Sequence, residues 1–133
     1  MGAKVLDSFA LIAYFRGETT GAIVRDLLDK AASADRSLQM SDVNYAELKY
    51  TLLKKDGPAA WEKAARILEG LPIEFHPTNR AMADTAADYK ARFKMSLADA
   101  FAAALAKEMK AELVTGDPEF KPLEKEIKIT WLK

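Results

Sequence analysis

The 133-residue sequence contains no cysteine, one histidine and no long apolar run. Lack of cysteine excludes disulfides, thiolate metal sites and Cys nucleophiles, and it agrees with a reducing interior. His76 alone excludes a multi-histidine metal centre. No apolar run approaches the roughly 18 residues of a membrane span. Asp7 interrupts the first apolar stretch and no small-residue cleavage site follows, so a cytoplasmic protein is expected, with no membrane segment. Charge of one sign is missing too: 20 Lys and Arg balance 20 Asp and Glu. A global basic field for nucleic acid is therefore absent, and such binding needs a local patch.

What is present fits one domain with a sizeable core. Strand-like and helix-like stretches alternate. Lys4-Val5-Leu6 reads as a strand ending at Asp7, followed by a helix from Ser8 to Phe15. Helices are expected at about 22–34, 42–55, 58–69, 79–93 and 97–110. Ser41, Thr78 and Ser96 are their expected caps, and Pro58 fits a first helical position. In the 42–55 helix, Val43, Ala46, Tyr50 and Leu53 form one stripe, and Tyr45, Leu48 and Leu52 a second. The 97–110 helix is small and apolar nearly all round, the pattern of a buried helix. Further strands are expected at 37–40, 71–75, 111–115 and 127–131, with Pro72 marking an edge and a short helical turn near 119–123. Strands interleaved with helices predict an α/β fold with a mainly parallel sheet.

Four acids stand where such a fold can gather them. Asp7 follows the first strand, Glu47 lies in the helix after the second, Asp99 opens the alanine-rich helix, and Asp117 follows the fourth strand. Each has a structural explanation of its own, as a cap, a first-turn acid or a solvated charge. Together they point to a bound cation, because converging carboxylates repel one another. Oxygen ligands without His or Cys suit Mg²⁺ or Mn²⁺. Two such ions about 3.5–4 Å apart can activate water and stabilise the leaving oxygen of a phosphodiester. Thr115 and Ser8 add hydroxyls for metal, water or phosphate.

The stretches Lys4 to Phe15, Asn44-Tyr45-Ala46-Glu47, Ser96-Leu97-Ala98-Asp99-Ala100 and Leu113 to Phe120 resemble, in order, the four motifs of PIN-domain ribonucleases. More narrowly they resemble VapC-type toxins of toxin–antitoxin pairs, over the whole chain. The resemblance implies a single PIN domain spanning 1–133, a three-layer α/β/α fold with a five-stranded sheet of order 3-2-1-4-5. It implies a Mg²⁺- or Mn²⁺-dependent endoribonuclease with Asp7, Glu47, Asp99 and Asp117 as catalytic and metal-binding residues and Thr115 as the accompanying hydroxyl. It also implies a homodimer silenced by a VapB-type antitoxin. One position departs: many members place Ser or Thr two residues after the first Asp, where this chain has Phe9, with its hydroxyl at Ser8.

For an RNA substrate, Lys90, Arg92 and Lys94 form the densest basic stretch near an acid motif. Tyr14, Tyr45 and Tyr50 offer rings for base stacking, but at these helical spacings aromatic residues are more often core, and His76 is expected in a loop. Two rival functions remain at this level. One is a catalytically silent PIN-fold module that binds RNA or protein. The other is a Mg²⁺-dependent phosphoryl-transfer enzyme of another α/β family with Asp7 as nucleophile.

Overall fold

Val5 and Leu6 are both fully buried, yet they belong to two different cores. Successive side chains of a strand point to opposite faces. Val5 and Leu113 therefore face one helical layer, and Leu6 and Val114 face the other. The computed structural model describes residues 2–133. In chain order it comprises β1 (Lys4–Leu6), α1 (Ser8–Phe15), α2 (Gly21–Ser33), β2 (Leu38–Ser41), α3 (Asp42–Asp56) and α4 (Pro58–Glu69). There follow β3 (Ile73–His76), α5 (Arg80–Arg92), α6 (Leu97–Met109), β4 (Glu112–Thr115), a 3-10 helix (Pro118–Leu123) and β5 (Ile129–Trp131).

The five strands form one parallel sheet in the order β3-β2-β1-β4-β5. Helices α1 to α4 cover one face; α5, α6 and the 3-10 helix cover the other. This is the three-layer α/β/α arrangement expected from the sequence. Pro72 does precede an edge strand, β3. The strand order reverses between β1 and β4. In open α/β sheets ligands bind beyond the carboxyl ends of the strands at such a reversal. Asp7 leaves the end of β1 there, and Thr115 ends β4.

Helix α6 brings a third acid to the same place. Asp99 through Ala106 are all buried. Their small side chains let the helix pack against α5, α3 and the central strands. Ser96 caps it by accepting the Asp99 N–H at 3.0 Å.

Three local expectations change. The buried face of α3 carries Asn44, Leu48 and Leu52, while Ala46 and Tyr50 of the expected stripe are exposed. In agreement with the core reading of their rings, Tyr45 and Tyr14 pack against the core; Tyr45 meets Trp61 and Phe75 edge-on. Helix α5 is capped by Asn79, not Thr78: the Asn79 side chain accepts the Met82 N–H at 2.8 Å. His76 ends β3 instead of lying in a loop, because the ladder with β2 continues to Ser41 and the His76 ring meets Gln39 Oε1 at 2.5 Å.

Candidate active site

Asp7 is fully buried, a costly position for a carboxylate. Its Oδ1 accepts the Ala10 N–H at 3.0 Å, capping α1, and its Oδ2 accepts the Thr115 hydroxyl at 2.5 Å. The same hydroxyl oxygen accepts the Asp117 N–H at 3.0 Å. Asp117 then caps the 3-10 helix, its Oδ1 accepting the Glu119 N–H at 2.9 Å. Thr115 thus ties Asp7 at the end of β1 to Asp117 and to the 3-10 helix that carries Glu119.

Carboxylate oxygens of Asp99, Asp117 and Glu119 lie within 4.8 Å of one another. Asp99 is only 7% exposed. Burial first, then the charges of Asp117 and Asp7, push the Asp99 carboxyl up to about 8. Burial likewise pushes Asp7 up to about 7, against the opposing pull of its bonds from Thr115 and Ala10. The charge of Glu47 on α3 raises both, so it acts within the same field. Tyr50 is the group that meets Glu47, at 3.5 Å from its Oε2.

Asn44 binds these elements together. It is fully buried. Its Oδ1 accepts the Ser41 hydroxyl at 2.6 Å, and its Nδ2 donates to Ser8 Oγ and to the Ala98 carbonyl, both at 3.1 Å. Ser8 returns a bond to the Asn44 carbonyl at 3.2 Å. One amide therefore links residues next to Asp7 and Asp99, three residues ahead of Glu47 on its own helix.

The structure brings Asp99 and Asp117 together but joins them with Glu119, which the sequence reading passed over. Its signal was the Asp117-Pro118-Glu119 run, with two acids opening a helix. Asp7 and Glu47 border this triad without belonging to it. Thr115 lies inside the site. The Ser8 hydroxyl is occupied by Asn44 and is buried, so its geometry suits holding the scaffold and not the metal or phosphate contact expected of it. Of the expected RNA-binding cations, Lys90 donates to the Met95 carbonyl at 2.9 Å. Arg92 forms a two-point pair with Glu126 at 2.8 and 2.9 Å and lies over Tyr89 and Phe93. Their charges are engaged within the chain, while Lys94 is exposed.

A family model for the PIN domain matches residues 4–126. The chain belongs to the PIN domain family. No curated protein matches it in sequence. Among solved structures, DNA-bound VapBC of Salmonella typhimurium is similar to this PIN domain at 16% identity, with 100% of both chains covered and a TM-score of 0.77. VapBC2 of Rickettsia felis, bound to a promoter DNA fragment, gives 15% identity, 98% and 99% coverage and a TM-score of 0.76. VapC20 of Mycobacterium tuberculosis, a sarcin–ricin-loop-cleaving toxin, gives 17% identity, 84% and 87% coverage and a TM-score of 0.69. The PIN fold is thus the one seen in VapBC toxin–antitoxin proteins. The donor set of this PIN domain is made of carboxylates, oxygen ligands of the kind hard divalent cations take.

Proposed function

We propose that this PIN domain is a VapC-type toxin, a Mg²⁺- or Mn²⁺-dependent endoribonuclease that hydrolyses RNA phosphodiester bonds. The observation that carries the reading is the Asp99–Asp117–Glu119 triad at the reversal of strand order, with Asp7 and Glu47 in its field. Their mutual repulsion fits residues selected to hold a cation. In this reading Asp99, Asp117 and Glu119 hold the ion, and Asp7 and Glu47 complete the negative surroundings. A divalent ion bound there supplies charge neutralisation for the phosphate and a lowered pKa for an attacking water. The chain's own groups keep the acids in place: Thr115 and the Ala10 amide hold Asp7, Ser96 holds the first turn of α6, and Asn44 on α3 ties α1 to α6.

The test is cleavage of a labelled RNA with Mn²⁺ or Mg²⁺ by wild type, Asp7→Asn, Asp99→Asn and Asp117→Asn. Wild type is expected to cut, and the Asp99 and Asp117 variants to lose about 100-fold or more in rate. Equal rates for wild type and these variants would sink the proposal. The similar VapBC structures further support a VapB-type antitoxin as partner. A small protein of that type should abolish cleavage at stoichiometric amounts. A homodimer is part of the same reading, and light scattering should give twice the 14.7 kDa chain mass.

A further inference from the structure

The two tryptophans occupy different surroundings. Trp61 is buried between α3 and α4, whereas Trp131 at the end of β5 is half-buried. Trp131 lines a cavity of about 290 Å³ with Gly116, Pro118, Lys121, Leu132 and Lys133. Gly116 and Pro118 are the chain neighbours of Asp117 on either side, so the cavity is lined by both residues that flank that acid. The indole N–H donates to Glu124 at 2.8 Å, which fixes the plane of the ring. Among the described residues no ion pair involves Lys121. A second aromatic borders the same strand end. Phe9 is 36% exposed, and its ring lies where a side chain at position 116 would stand, so that a Cβ there would collide with Phe9 Cε1.

A phosphodiester cut at the triad brings its neighbouring nucleotides with it. A base needs a flat apolar face, and its outer phosphate needs a cation. Lys90 and Arg92, two cations of the densest basic stretch near an acid motif, are engaged elsewhere. The cavity offers both requirements one residue from Asp117. We propose that it seats the unpaired nucleotide next to the scissile phosphate, with the base stacked on Trp131 and the flanking phosphate on Lys121. A paired base in a duplex is already stacked and cannot enter. The inference rests on the nuclease reading of the nearby triad and specifies where the substrate's neighbouring nucleotide sits, on Trp131 and Lys121.

Trp131 reports on this directly. In an Asp99→Asn background, which is expected to bind RNA without cutting it, tryptophan fluorescence is titrated with a short unstructured oligoribonucleotide in Mg²⁺. Buried Trp61 supplies a constant background. Saturable quenching is expected, and it should vanish in Trp131→Phe while anisotropy of a labelled oligonucleotide still shows binding. Lys121→Gln should weaken binding about fivefold and lower its salt dependence. A duplex of the same sequence should bind at least tenfold more weakly. In cleavage by the otherwise wild-type protein, Trp131→Leu should raise KM about tenfold with kcat little changed. RNA bound with no change in Trp131 fluorescence, or a duplex that quenches as well as the single strand, overturns the proposal. Quenching without cleavage by wild type under any divalent ion would instead remove the nuclease reading and leave the nucleotide seat standing.

Discussion

Asn44 shows how a polar side chain earns a core position. It has no unmet hydrogen-bonding need, because the Ser41 hydroxyl, Ser8 and the Ala98 carbonyl satisfy both ends of its amide. Asn44→Ala would remove the side-chain bonds to Ser41, Ser8 and the Ala98 carbonyl within the core, which costs about 1–3 kcal/mol. Groups that orient metal ligands typically change affinity about 10–100-fold when removed. Urea unfolding and a Mn²⁺ titration of Asn44→Ala should therefore show both losses. A stability loss with unchanged Mn²⁺ affinity would make Asn44 a packing residue only. Gly116 makes a second prediction at this scale. In Gly116→Ala the new methyl meets the Phe9 ring, a side chain that can swing aside. The expected cost is about 1 kcal/mol, and Phe9→Ala in the same chain should remove most of it.

At the scale of elements, α1 and α2 cross at Gly21, and here the neighbour cannot yield. A Cβ at Gly21 would stand 2.5 Å from the Ala13 carbonyl oxygen and 2.9 Å from its carbon, both backbone atoms. Gly21→Ala should cost roughly 3 kcal/mol or more in thermal or urea unfolding, well above Gly116→Ala. A cost below that of Gly116→Ala would mean that the two helices are free to separate. The elements themselves were largely legible, because caps such as Ser41 and Ser96 and the breaks at Gly57-Pro58 and Gly70 are local signals. The facing of α3 was not. Two stripes share its helical period, and the buried one includes Asn44, whose partners come from α1 and α6 far away in sequence. Glu119 was missed for a related reason: a 3-10 helix of six residues has too little pattern to show which acid turns inward.

At the scale of the whole molecule, the alternation of strands and helices foretold a parallel sheet and the resemblance of the motifs its strand order, and of the four expected acids Asp99 and Asp117 do come together. What sequence did not reveal is how unequally the acids are placed, with Asp7 hydrogen-bonded in the interior and Asp99 poised in a charged triad. That inequality has a pH consequence. Asp7 and Asp99 rise from 3.8 to about 7 and about 8 on folding, so the folded chain holds protons that the unfolded chain releases. Their contribution to stability is then fully present below about pH 4, declines as pH rises from there, and is gone once pH passes through 7 to 8. For Asp7 alone the loss is at most on the order of 4 kcal/mol. Melting temperatures in EDTA should fall between pH 5 and 8, less steeply in Asp99→Asn, and saturating Mn²⁺ should restore them at pH 8. A flat profile in EDTA would argue against buried, repelling acids.

The central claim is that these acids are held together for a divalent cation. Calorimetry of Mn²⁺ binding at pH 7, repeated in buffers of different ionisation heat, tests it most directly. Binding to wild type should be saturable and should release about one proton per chain, because the ion displaces protons held by Asp7 and Asp99. Asp99→Asn and Asp117→Asn should bind at least tenfold more weakly. The absence of saturable binding, or wild-type affinity and no proton release in these variants and the parent alike, would contradict the account.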